Sequence, residues 1–141
     1  MDNRKWWNQL DDNWKNVFNK AISIKGEPTD SDLEQIVNLQ KLDCPDKNEI
    51  SDLEPLSDLE PLRTLTNLQE LDCSGNEISD LEPLRALTNL RELDCYKNQL
   101  SDLEPLRALT NLQTLDCSKN EIGWWNMRKF KKAVPNCEVY S

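Results

Sequence analysis

The chain has 141 residues, a formal net charge of −9 and a mean hydropathy of −0.77. That length suits one domain, and 26 acidic against 17 basic side chains turn away nucleic acid and anionic membrane as main partners. Histidine is absent, which removes the commonest general acid–base and the commonest metal ligand together, while five cysteines without an export segment indicate a reducing cytoplasm.

The N-terminal segment places Trp6, Trp7, Leu10, Trp14, Val17, Phe18, Ala21 and Ile22 at i, i+3, i+4, i+7 spacing, which predicts one amphipathic helix. It lacks the apolar run of a secretory signal, and no stretch approaches a membrane span. Gly26 and Pro28 break the helix. Residues 30–39 read as a short helix or turn that feeds a first strand, QKLDC.

From there the chain repeats. LDC recurs at 42, 71, 93 and 115, at intervals of 29, 22 and 22 residues. Units 71–92 and 93–114 are identical at 16 of 22 positions. Each opens NLxxLDCxxNxI, so that Leu71 and Cys73 share one side of a strand and Asp72 and Ser74 the other. Leu81, Leu84, Leu87 and Leu90, three apart, suit a 3₁₀-like return, where Pro83 and Pro105 are also tolerated. One such unit cannot bury its apolar face alone, whereas a stack of three or more makes a continuous core. Cys44, Cys73, Cys95 and Cys117 share an inward slot and read as a ladder of buried free thiols; strand spacing leaves a disulfide between neighbours sterically open.

After Gly123, WWNMRKFKKAV predicts a helix that Pro135 ends, and VPNCEVY repeats the strand pattern with Val134, Cys137 and Val139 inward. RKFKK at 128–132 reads as a solvated face rather than a phosphate site. Trp124 and Trp125 are expected to plug the end of the stack, with a binding hot spot as the other reading.

This LxxLxLxxNxL pattern, with cysteine in the third apolar slot and the continuation xxDLxPLxxLTNL, resembles the leucine-rich repeat. It is similar to the 22-residue class of internalins and of a phosphatase regulatory subunit, over about residues 31–122. The resemblance implies an α/β solenoid, a short horseshoe with about five parallel strands on its concave face and turns or 3₁₀ segments behind. It also gives Asn48, Asn76, Asn98 and Asn120 a role in bonding the turn backbone of neighbouring coils. The expected organisation is a single domain, with a helical cap over 1–38, repeats over 39–122 and a helix-plus-strand cap over 123–141. The export signal, immunoglobulin-like segment and wall anchor of surface internalins have no counterpart in these residues, which counts against a bacterial host-invasion role.

Outward positions then form columns along the concave face. The central one is expected to run Asp43, Asp72, Asp94, Asp116 and Glu138, preceded by Lys41, Glu70, Glu92, Thr114 and Asn136 and followed by Pro45, Ser74, Tyr96, Ser118 and Tyr140. Like charges on adjacent strands repel by about 1 kcal/mol per pair even in water, which argues against a stabilising role. The column suits a protein or peptide partner, best a basic one, with Tyr96 and Tyr140 as anchors; the alternative is a soluble residue copied with each unit. The six differences between the two near-identical units all flank the strand, while SDLEPLRALTNL is unchanged at 79–90 and 101–112. On the back, Arg63, Arg85 and Arg107 with Glu60, Glu82 and Glu104 are expected to pair between coils.

An interaction module, monomeric and without enzymatic activity, is thus the leading reading. Its rival is a self-associating repeat protein that uses the tryptophan-rich caps and has no concave-face ligand. No cofactor, metal, nucleic acid or membrane is expected: carboxylates on an open sheet lack an enclosed pocket, and a linear ladder does not converge on an ion. Glycine- and aspartate-rich calcium turns are not seen in the sequence. Finally, SDLEPL stands twice in succession at 51–62. One of seven extra residues is assigned to CPDKN and six to the second SDLEPL, as a bulge on the convex back that leaves the flanking strands paired.

Overall fold

The computed structural model describes residues 2–44 and 56–141. Strands β1 (Lys41–Asp43), β2 (Glu70–Asp72), β3 (Glu92–Asp94), β4 (Thr114–Asp116) and β5 (Glu138–Tyr140) form one parallel sheet in chain order. Behind β2, β3 and β4 the chain turns through 3₁₀ segments at Glu60–Thr64, Glu82–Leu84 and Glu104–Leu106, each with proline in its first turn. Proline lacks the N–H that a first turn leaves unpaired, and it blocks a strand there. The expected solenoid is present, with the strands on one side and the 3₁₀ turns on the other.

The leucine and cysteine positions of the repeat are inside. In the coil 68–90, Leu68, Leu71, Cys73, Ile78, Leu81, Leu84, Leu87 and Leu90 are all buried, and the next coil repeats the set. All five cysteines are free; the four in the ladder are buried, and Cys137 is half-buried. The thiols of Cys73, Cys95 and Cys117 donate to the carbonyls of Asp94, Asp116 and Tyr140 on the following strand. Burial pushes these thiols up, Cys117 to about 11, so they act as small apolar side chains rather than nucleophiles.

Two asparagine ladders stitch the coils. Asn98 Oδ1 accepts from Ile78 N of the preceding coil (3.0 Å), while its Nδ2 donates to Cys73 O (3.0 Å) and Cys95 O (3.1 Å). Asn120 repeats this toward Leu100 N, Cys95 O and Cys117 O, and Asn76 toward Leu56 N and Cys73 O. The second ladder, not foreseen, uses the asparagine of LTNL: Asn89 Nδ2 donates to Thr66 O and Asn111 Nδ2 to Thr88 O, both at 3.0 Å.

The N-terminal cap consists of three helices, α1 (Asn3–Asn8), α2 (Asp12–Ala21) and α3 (Asp30–Val37): the one amphipathic helix expected over 6–22 is divided in two, and the short helix expected within 30–39 is present. Asp11 divides the first two, since its carboxylate accepts from Trp14 N (2.8 Å) and starts a new helix. Thr29 and Asp32 form a reciprocal capping box on α3. Trp7, Trp14 and Phe18 are buried over the first coil, and Trp14 Nε1 donates to Asp58 O (3.0 Å).

At the other end α4 (Trp124–Ala133) is seated by buried Phe130 and Val134 and by Asn126 Nδ2 on Ser101 O (2.9 Å). Trp124 and Trp125 do not plug the core, contrary to expectation: they are 63% and 67% exposed, packed edge to face on each other. The helix turns its Met127, Phe130 and Val134 stripe inward, which leaves both indole rings in solvent.

The doubled hexapeptide also resolves differently. Leu56 N donates to Asn76 Oδ1 and Leu56 O accepts from Glu77 N, as Ile78 does with Asn98 and Gln99. Leu56 therefore occupies the Ile78 slot, and the second SDLEPL is the regular back, with Leu59 and Leu62 buried. Leu56 follows Cys44 by 12 positions, whereas Ile78 follows Cys73 by 5, so the seven extra residues precede that slot in the sequence and the second SDLEPL is not the insertion. Ile50 and Leu56 each precede an SDLEPL, so the sequence offers two equivalent alignments; the bond to Asn76 selects one. Residues 45–55, with Pro45 and Asn48, lie outside the described residues. Strands β1 and β2 nonetheless pair in register, Leu42 with Leu71, as expected.

Asn98→Ala leaves the Ile78 amide unpaired and takes one of two side-chain bonds from each of Cys73 O and Cys95 O, and is expected to cost about 1–3 kcal/mol in urea unfolding. Asn111→Ala, at an exposed position, should cost less than about 1 kcal/mol. Equal losses would contradict the assignment of the first ladder as the principal stitch.

Candidate functional site

In β1 to β4 the central leucine points inward and its two neighbours outward, so register alone builds the concave columns. Asp43, Asp72, Asp94 and Asp116 are register partners from β1 to β4. The preceding column runs Lys41, Glu70, Glu92 and Thr114. Together these groups line an open groove of about 350 Å³.

The fifth strand is displaced from its expected register. Glu138 pairs with Thr114, not Asp116, and Tyr140 pairs with Asp116. Glu138 thus extends the first column, Asn136 leaves it, and the central column is acidic in four strands and ends on Tyr140. The 22-residue period fails here because α4 replaces a 3₁₀ back. An α-helix rises about 1.5 Å per residue against about 2.0 Å for 3₁₀, so the same span takes more chain. Tyr140 Oη donates to Glu138 Oε1 (2.7 Å), which raises the phenol's pKa and fixes the ring at the end of the stripe. Tyr96, at the middle of the rim, is 37% exposed.

The aspartates also have a local task that charge alone did not reveal. Asp72 Oδ1 accepts from Ser74 N (2.9 Å) and Ser74 Oγ (2.6 Å), and Asp116 does the same with Ser118. Asp94 Oδ1 accepts from Tyr96 N (2.9 Å). Each carboxylate therefore closes an Asx turn at the strand exit, so the column does support the fold despite its repulsion. The signal was an aspartate two positions before the turn in every repeat. The next residue, Gly75, Lys97 or Lys119, has φ of 71°, 55° or 57°, a left-handed turn common to three coils. Asp80 and Asp102 form equivalent turns on the back with Glu82 N and Glu104 N.

Charge on the face is unevenly compensated. Lys41 Nζ pairs with Glu70 (3.1 Å) at the N-terminal end, and its pKa is raised first by that bond. Asp94, in the middle, is raised above the ordinary carboxylate value by burial; the Tyr96 amide opposes this, while Asp72 and Asp116 add to it. On the back, Arg85 bridges Glu82 of its own coil and Glu104 of the next, whereas Arg63 pairs within its coil with Glu60. Pairing between coils thus holds at Arg85, and Arg107 has no ion pair among the described residues. No group of three His, Cys, Asp or Glu converges as a metal site among the described residues, and no described helix is long and apolar enough to cross a membrane.

Because the folded pKa of Asp94 lies above its unfolded value, the ionised group opposes folding above that folded pKa. The opposition fades as pH falls through it and is gone below the unfolded value of 3.8. Asp94→Asn keeps the Oδ1 acceptor for Tyr96 N, so it should raise Tm near pH 7 and lose that advantage below about pH 3.5. A gain independent of pH, or a loss near pH 7, would contradict this.

The family model for leucine-rich repeats (two copies) matches residues 37–86, 66–108 and 88–125. Internalin C2 of Listeria monocytogenes is similar in structure, with TM-score 0.61 and 31% identity over 79% of this chain. A leucine-rich repeat protein of Leptospira interrogans matches with TM-score 0.61 and 25% identity over 84% of this chain. Internalin F of Listeria monocytogenes matches with TM-score 0.68 and 22% identity over 92%, a likeness of fold. This chain spans 45%, 29% and 42% of those three structures, respectively. A search of curated proteins finds no match. Parallel register, buried leucine and asparagine ladders and the matching family model lead to one conclusion: the chain belongs to the leucine-rich repeat family.

Proposed function

We propose that the concave sheet is the docking face for a protein or peptide that presents a basic segment, as in a binding module rather than an enzyme. Leucine-rich repeat proteins generally serve protein–protein interaction, and the extended concave surface of a solenoid supports that use here. The observation that carries the basic preference is the geometry of Asp72, Asp94 and Asp116. Each spends Oδ1 on its own turn, and Oδ2 makes no hydrogen bond among the described residues. Adjacent strands lie about 4.8 Å apart, so these oxygens offer Lys or Arg side chains a row of acceptors at a regular step. Glu70 and Glu92 widen the stripe on one side, and Tyr96 and Tyr140 flank it as aromatic anchors of limited side-chain entropy.

The proposal carries the expectation of a reducing cytoplasm, where five free thiols persist. A fluorescent Lys/Arg-rich peptide with one tryptophan is a suitable probe. Asp72→Asn, Asp94→Asn and Asp116→Asn together preserve the turn acceptors while removing three charges, and should weaken binding at least about tenfold at about 0.1 M salt. Binding unchanged by the triple variant would overturn the assignment.

A further inference from the structure

The exposed tryptophans and the cationic side chains of α4 lie outside the core that seats this helix. Arg128, Lys129, Lys131 and Lys132 are all exposed, and none forms an ion pair among the described residues. Arg128 lies over the Trp124 ring at 5.4 Å, so the aromatic pair and the cations form one continuous surface. Such a surface, apolar at one end and cationic along its length, matches an acidic face with aromatic flanks. The concave groove has that character, lined by Asp72, Asp94, Asp116 and Glu92 and ending on Tyr140, with Tyr96 exposed beside β3. Buried Phe130 and Val134 hold α4 on its own coil, so the helix cannot swing onto the face of its own chain.

We propose that α4 of one copy docks on the acidic concave face of a second copy. The two patches differ, so the contact is heterologous, and assembly grows head to tail unless its rotation closes a ring. This rests on the reading of the concave face as a docking surface, and names an occupant within the same sequence. Copies at −9 repel one another at long range, while the contact joins opposite charges at short range. At about 0.1 M salt the Debye length is about 10 Å, which screens the first more than the second. Occupancy of the face by a neighbouring α4 would compete with a basic partner and regulate access to it.

Sedimentation velocity of the full chain across a concentration series at about 0.1 M salt tests this. The wild type should show a mass above the monomer that rises with concentration. Trp124→Ala with Trp125→Ala should be monomeric, and so should Asp72→Asn with Asp94→Asn. Mixing these two variants should restore a 1:1 dimer that does not extend, because each supplies the patch the other lacks. A wild type that remains monomeric overturns the proposal, as does a mixture without the dimer or association insensitive to the concave variant. Binding of a monomeric wild type to phosphatidylserine vesicles through Trp124 and Trp125 would overturn it in favour of a membrane surface. Uptake of the basic peptide by a monomeric wild type would leave the concave-face reading standing while this proposal fails.

Discussion

The structure depends on a single side-chain geometry, repeated: an asparagine whose amide reaches two coils at once. Where the chain leaves a strand it turns inward, and the backbone groups there have no strand partner. Asn76, Asn98 and Asn120 satisfy them from both sides, an N–H of the preceding coil on Oδ1 and carbonyls on Nδ2. Buried groups of this kind cost about 1–3 kcal/mol each when left unpaired, so the stitch fixes the offset of each coil on the next. From that offset follow the leucine ladder within and the carboxylate column without.

A scaffold fixed at the back leaves its front free to carry recognition. The convex stretch SDLEPLRALTNL is the same at 79–90 and 101–112, and its parts have structural tasks: Asx turns at Asp80 and Asp102, and LTNL asparagines on the preceding coil. The differing positions, such as Ser74 against Tyr96 and Glu92 against Thr114, lie beside or within the strands. The concave aspartates belong to both regimes. One oxygen closes a turn, which explains their presence in each coil, and the other faces the groove. Aspartate is thus retained for geometry and available for charge.

Most of the fold was legible in the sequence because it is periodic. Leucine spacing placed the strands, the 3₁₀ backs and the inward cysteines, and β1 to β4 have the expected register. Legibility failed where the period did. At the C-terminal end a helix replaced the 3₁₀ back and moved Glu138 and Tyr140 along by one outward position. At the doubled hexapeptide two alignments were equivalent until the Asn76 bond chose between them. In the N-terminal cap the apolar spacing ran through Asp11, whose capping role is a matter of one hydrogen bond rather than of pattern. Trp124 and Trp125 were misplaced because tryptophan at the end of a repeat stack suits a plug, whereas α4 is seated through Phe130 and Val134 and leaves both indole rings in solvent. The candidate site was readable as charge, but not as turn chemistry.

The proposed function places recognition on the concave strands and leaves the convex back as scaffold. Amide NMR shifts during titration with a basic peptide test it most directly. The largest changes are expected at 70–74, 92–96 and 114–118, with Tyr96 among them, while 79–90 and 101–112 stay still. Perturbations concentrated on the convex segments, or spread evenly over the chain, would contradict it.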